Sequence, residues 1–435
     1  MINLFSTKLL KIAFGVGLLI ILIPLLGVKK TSLESARSAN SFIDSIGVCI
    51  HLTYLDTAYG QYEEKIKPKL KELGIRHVRG DGPSVADKIA QDKFNDLAKI
   101  GIKSILIMDS RSVSNGAEAV ELSKSVINGL EGVEGPNEWD VHPERKYQGK
   151  NFPEGVRQYQ SDLYRAIKSD PDTAHLPIIS PSVAYPQNAV RLGQIDCDLA
   201  NMHSYSFSRW GLPTGGLENR WIPAANAVCR DKPIVATETG YHNAVMSEEA
   251  ASKYLPRLFL EYFNHGIKRT YTYELIDSKP NPAKDNDQYN FGLLRYDGSP
   301  KPDFIALRNI IKLLSDYDNN IEQPIKAGTL DYQIEGNTKD VHHTLLQKQN
   351  NNFYLILWQE VLSFDLYEKI DIEVSTRPLN LILNTAIQTA NVYQPLNSTK
   401  VLKQYVNPKN FVVEVGDNPI IIELLPKLVD NKHNK

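Results

Sequence analysis

Cysteine is scarce in this chain, with three in 435 residues. None of the three forms a CxxC pair or sits in a Cys/His cluster, so the spacing that holds structural zinc is missing. Cys49 lies in an apolar, strand-like run and reads as a small buried hydrophobe. Cys197 and Cys229 are open to two readings, a disulfide or two free thiols, because sequence does not say whether they meet in space. Net charge is nearly absent as well: 49 Lys and Arg against 51 Asp and Glu leave −2. Without a basic excess or stripe, nucleic acid is excluded as a partner, and a neutral substrate is compatible. Low-complexity tracts are also lacking, and 42% hydrophobic with 23% charged residues is the makeup of a globular protein. At this length two domains are expected rather than one core.

Long apolar runs are missing except at the N-terminus. There Lys8 and Lys11 precede 17 apolar or small residues, 12–28, that end at Lys29 and Lys30. A basic segment before an apolar one is the pattern of an export signal. The run is at the lower limit for a membrane span, no A-x-A cleavage site follows in "TSLESARSANS", and no Cys stands beside it for lipid attachment. A cleaved signal and a retained single anchor both fit. Either way the bulk of the chain is expected to be secreted or outside the cytoplasm, touching a membrane only through this segment if it is uncleaved.

What is present is alternation. The runs "SIGVCIHL", "HVRGDG", "KSILIMD", "GVEGPNE", "IISPSV", "LANMHSY", "PIVATETG" and "RTYTYEL" read as strands, and amphipathic helical stretches separate them. The helices close on Gly74, Gly101 and Gly266, the residue favoured at a helix C-terminus. The stretch after the fifth strand, "PQNAVRLGQID", is the one poor helix. Eight such units point to an α/β protein built on a (β/α)8 TIM barrel rather than an open sheet. The first strand ends fall near 52, 81, 109 and 138, a repeat of about 28 residues. Beyond about residue 320 the texture shifts to short β-rich runs with Asn, Gly, Pro and Lys turns, as in a small antiparallel β-sandwich. The expected division is 1–40 as signal or anchor, 41–318 as barrel, 319–428 as sandwich and 429–435 as a polar tail.

In a parallel barrel the strand C-termini converge on one rim, where the chemistry of such folds is carried. Glu138 ends the fourth strand, in "VEGPNEWDVHP", and Glu238 ends the seventh, in "PIVATETGYH". Two carboxylates facing each other across the mouth suit glycoside hydrolysis: one delivers a proton to the leaving oxygen and the other attacks or stabilises the anomeric carbon. At this point the motifs become specific. "GPNEWD" and "ATETGYH" resemble the acid/base and nucleophile motifs of glycoside hydrolase clan A, the retaining barrel glycosidases that include the cellulase-like families and family 39. The resemblance covers roughly residues 45–316, and a trailing sandwich is a common companion. It implies that Glu138 is the general acid/base, Asn137 the donor to the sugar 2-hydroxyl, and Glu238 the nucleophile. Arg79 in "VRGDG" matches the arginine that keeps the nucleophile ionised, and His203 and Tyr205 in "HSYSF" match its contacts. The chain departs from the pattern at strand eight, where a Trp often lies under the sugar and "TYTYELID" offers Tyr273 and Glu274. The implied activity is a retaining O-glycosidase acting on β-bonds of an extracellular or cell-surface glycan.

Other readings of the same residues stand beside this one. Trp139 and Trp210 fall in rim loops where an aromatic face stacks on a sugar, and packing is the equal alternative for them as for Tyr241 and His242. Asp81 and Asp109, ending strands two and three, suit either hydroxyl binding or helix capping. His51 alone on strand one lacks the His-x-His of metal-dependent barrel hydrolases, so no metal or cofactor is expected. The alternative class is a non-catalytic glycan-binding protein on a glycosidase-like barrel; possession of both Glu138 and Glu238 argues against it.

Overall fold

The computed structural model describes residues 32–205, 211–316 and 326–427. The apolar run 12–28, Trp210, the expected boundary at 318/319 and the polar tail 429–435 lie outside the described residues. Among the described residues no helix is long and apolar enough to cross a membrane.

Eight parallel strands form the barrel: Ile46–Ile50, His77–Asp81, Lys103–Ile107, Leu130–Glu134, Ile178–Ile179, Ala200–His203, Ile234–Thr239 and Arg269–Thr272. The last pairs in parallel with the first, Thr270 opposite Ile46, which brings the sheet round on itself. Between the fifth and sixth strands a single bridge, Ile179 to Leu199, completes the ring. Strands covered on both faces need apolar residues throughout rather than in alternation, and Ile46–Ile50 is buried at every position. The inward residues Cys49, Ile105, Ile179, Leu199, Val235 and Tyr271 pack together inside the ring. Gly47 makes room for this layer, since a Cβ there would lie 2.3 Å from the Tyr271 ring.

Helices fill the outside of the barrel, and the poor helix of the fifth unit is only Asn188–Leu192. Gly74, Gly101 and Gly266 all take positive φ, the conformation that ends a helix without a Cβ clash. Cys197 and Cys229 form a disulfide 32 residues apart in sequence, tying the entry of strand six to the end of the helix Ile222–Val228. Closing a loop of that length removes enough unfolded-state entropy to stabilise by about 3.7 kcal/mol. The Cys197→Ser, Cys229→Ser double variant is therefore expected to lose about 3.7 kcal/mol in urea unfolding, and the wild type is expected to lose the same amount when reduced.

Two antiparallel sheets form the C-terminal sandwich around a core that includes Leu330, Leu355, Leu381 and Ile422. The outer face of the six-stranded sheet contributes Ile356, Trp358 and Ile421 to the main core of the barrel, so the two domains share one apolar interior. Residues 32–38 depart from the expected division. Instead of belonging to the N-terminal segment, Ser32–Ser35 pairs antiparallel with Thr329–Gly336 of one sheet, and Arg37–Ser38 pairs with Val341–Gln347 of the other. Strands of four and two residues, with Ala36 between them as the one buried apolar side chain of the stretch, carry too little alternation to be read.

Candidate active site

The fourth strand ends at Glu134, and the chain then runs on through Gly135, Pro136 and Asn137 before reaching Glu138. Glu138 was expected to end this strand and instead lies four residues beyond its last residue, Glu134. Its position is fixed by a bridge between Asn137 and Ser182 and by its N–H, which donates to Ser182 O at 3.3 Å. Its φ of 51° is left-handed, which costs a non-glycine residue about 1 kcal/mol or more and is the kind of strain found at working sites. Glu238 lies within the seventh strand and is buried.

Arg79 connects them. Fully enclosed on the second strand, it grips Glu134 bidentately, Nε and Nη2 each at 2.7 Å, and directs Nη1 to Glu238. Nη2 also donates to Asn137 Oδ1 at 2.7 Å. Ser182 Oγ donates to the same oxygen at 3.3 Å, so the donor end of the Asn137 amide is the part left for a ligand. A buried guanidinium is stable only among carboxylates and acceptors that replace its water, and here it has them.

His203, at the end of strand six, stands between the two candidate carboxylates. Its Nδ1 is 2.7 Å from Glu138 Oε1 and 3.6 Å from Glu238 Oε2, and its Nε2 meets Thr237 Oγ1 at 3.0 Å. Burial alone would push the imidazole pKa down, but Glu238, Glu134 and Glu138 outweigh it and hold it up at about 9. At neutral pH it is therefore a cation that donates from both nitrogens. Burial likewise opposes charge on Glu238, yet His203 and Arg79 hold its pKa below the usual carboxylate range. Tyr205 donates its hydroxyl to Glu238 Oε2 at 2.9 Å. Burial first and then the Glu238 charge push that phenol well above its ordinary pKa, so it remains a donor. One oxygen each of Glu138 and Glu238 and a nitrogen of His203 all lie within 4.8 Å of one another.

The structure thus brings Arg79, Asn137, Glu138, His203, Tyr205 and Glu238 into one cluster. Tyr273 is half-buried beside it, edge-on to Phe291 at 5.3 Å, and Phe291 in turn meets Tyr205 at 5.9 Å. Trp139 is a correction: it is buried, and its Nε1 donates to Asp109 Oδ2 at 2.8 Å, so its ring is not presented to a sugar. Asp109 serves that tryptophan and Arg111 rather than capping a helix, and Asp81 is bound to His51 at 2.8 Å. Tyr241 stacks on Tyr254 and is buried.

Three members escaped the reading of the sequence. Glu134 and Thr237 belong to the hydrogen-bond network under the pair, and Phe291 forms part of its aromatic wall. A glutamate inside a core strand was the available signal for Glu134, because a buried carboxylate requires a partner. Glu274 is buried with Tyr59 donating to it at 2.8 Å, and burial raises its pKa to about 7.

No sequence-family model and no curated protein sequence matches the chain. Among solved structures it is similar to a family 39 glycoside hydrolase from Bacteroides cellulosilyticus, at 16% identity and a TM-score of 0.52 over 89% of this chain and 82% of that one. A glucosidase from Croceicoccus marinus is similar at 11% identity and a TM-score of 0.56, covering 84% and 92%. A family 51 α-L-arabinofuranosidase from Bifidobacterium longum is similar at 11% and 0.54, covering 91% and 97%. The chain has the fold of these glycoside hydrolases. Barrel and trailing sandwich agree with the architecture expected from the clan A resemblance.

Glu138, His203 and Glu238 are the one trio of possible metal ligands of this kind found among the described residues. Its chemistry disfavours a cation. His203 is itself positive, and Arg79 already contacts Glu238, so an ion would have to displace a proton and sit against a guanidinium.

Proposed function

We propose that this chain is a retaining glycoside hydrolase that cleaves O-glycosidic bonds, taken to be β-linked, with Glu238 as nucleophile and Glu138 as acid/base. The observation that carries this reading is the carboxylate pair, with oxygens inside 4.8 Å of each other. Retaining enzymes keep the two carboxyl groups roughly 5 to 5.5 Å apart, whereas inverting ones leave roughly 6.5 to 9.5 Å for a water.

The surroundings divide the roles. Glu238 is kept ionised by Arg79 and His203 and aimed by Tyr205, as a nucleophile must be. In the first step a Glu238 oxygen bonds to the anomeric carbon as the glycosidic bond breaks, and the leaving oxygen takes a proton from Glu138. In the second, Glu138 removes a proton from water, the water oxygen bonds to the anomeric carbon, and the Glu238 ester is released. The His203 Nδ1–H that points at Glu138 Oε1 holds one oxygen in place and leaves the other for proton transfer. The Asn137 amide is the donor available to the 2-hydroxyl. The Cys197–Cys229 disulfide favours an oxidising compartment, which supports action outside the cytoplasm.

The test uses aryl β-glycosides. Glu138→Ala is expected to slow cleavage of poor leaving groups by about 10³-fold, while the first step with dinitrophenyl glycosides changes little because that leaving group departs without a proton. NMR of the first-formed sugar should show the β-anomer; the α-anomer would exclude retention.

A further inference from the structure

The loops that follow strands three and four carry cations whose placement the carboxylate pair does not explain. Arg111 follows strand three. Its Nε and backbone N–H both go to Asp109 Oδ1, at 2.9 and 3.1 Å, and its side chain is half exposed. Arg145 follows strand four, and its Nη1 donates to the carbonyl of Asn137 at 2.6 Å, one residue from Glu138. Ser110 Oγ donates to Lys146 O at 3.3 Å, so the two loops touch and their arginines are neighbours, with Lys146 exposed beside them.

The acidic groups nearby absorb only part of this charge. Asp109 is buried with one oxygen given to Trp139 and the other to Arg111. Asp81 is bound to His51. Glu144 is exposed, 3.1 Å from His142 and 4.0 Å from Arg145 Nε. Nη1 and Nη2 of Arg111 and Nη2 of Arg145 make no hydrogen bond among the described residues. Burial, and then the like charge of Arg111, lower the Arg145 pKa. Two guanidiniums held close together with donors unspent suit a planar or tetrahedral anion that accepts from both. In a chain of net charge −2 such a concentration is local, not a general property of the surface.

Location identifies the ligand. A proton donor stands over the leaving group, so side chains around Glu138 on the side away from strand seven meet the released half of the substrate. We infer that Arg111 and Arg145 form an anion-binding subsite for the leaving group, so that the unit released is an acidic sugar, carboxylated or sulfated. This inference rests on the glycosidase reading above.

The experiment compares phenyl β-glycosides that differ only in a para carboxylate, sulfonate or neutral carboxamide, made with whichever sugar the full chain hydrolyses. KM for one or both anionic probes is expected to lie about tenfold below that of the carboxamide, with the better of the two naming the anion, and to rise towards it with added salt. The Arg111→Gln variant should lose most of the preference while kcat on the carboxamide stays within about twofold, with Arg145 left in place because it also holds the Asn137 carbonyl. Equal KM values in the wild type, or a preference that persists undiminished in Arg111→Gln, would overturn the subsite and leave the glycosidase intact. Absence of turnover with every aryl glycoside would overturn both.

Discussion

Glu238→Gln is expected to lower kcat on aryl β-glycosides by about 10⁴-fold or more, about 5.5 kcal/mol at 1.4 kcal/mol per decade. The substitution keeps the size of the side chain but removes the charge that attacks. It also places an amide among groups arranged for a carboxylate. Arg79 and Tyr205 donate to the two oxygens of Glu238, with His203 Nδ1 3.6 Å away, and an amide has one oxygen to offer them. With its nitrogen towards Arg79 an N–H faces a donor, and with its nitrogen towards Tyr205 the phenol must stop donating and accept instead. A second readout follows from His203. Glu238 is the largest of the carboxylate influences that raise its pKa to about 9, so in Glu238→Gln the imidazole should titrate clearly lower by NMR. The wild-type residue gains a partner charge on folding, so its contribution to stability is full below about pH 6.5 and is lost as pH rises through about 9. Without Glu238 that loss moves to lower pH. Activity within tenfold of wild type, or an unmoved His203 titration, would remove Glu238 from the nucleophile position.

The barrel was legible because its signal repeats. Each unit ends a buried run at a polar residue, and these ends place Arg79, His203 and Glu238 on one face of the sheet before any distance is known. Glu138 was readable as a rim carboxylate but not as a left-handed residue beyond its strand, because backbone conformation there is set by the bridge to Ser182 in another unit. Trp139 misled because sequence marks an aromatic as near the rim without saying which way it turns; Asp109, 30 residues earlier, turns it inward. The disulfide and the N-terminal strands were undecidable for the same reason, since each depends on a partner remote in the chain. Strand Ser32–Ser35 meets residues some 300 positions later.

Arg79→Leu shows how the buried charges depend on one another. The variant is expected to lose about 3 to 5 kcal/mol of stability at pH 7.5, the usual cost of leaving a buried charge without its partner. Glu134 is the residue left exposed to that cost. It is fully buried, and although burial opposes its ionisation, Arg79 and then His203 hold its pKa at about 2. In the wild type a depressed carboxylate contributes stability that is present above about pH 4.5 and lost as pH falls towards 2. Removing the guanidinium leaves burial as the larger influence, so the Glu134 pKa in the folded variant should rise above its unfolded value. The sign of the dependence then reverses. Above about pH 4.5, the folded variant binds more protons than the unfolded chain, and its stability falls as pH rises. Urea unfolding at pH 4.5 and pH 7.5 therefore separates this account from a simple cavity. A packing defect costs the same at both values, whereas an orphaned Glu134 costs several-fold more at the higher one. The same variant should also lose turnover even where it remains folded, because Glu238 loses one of the two cations, His203 and Arg79, that keep it charged.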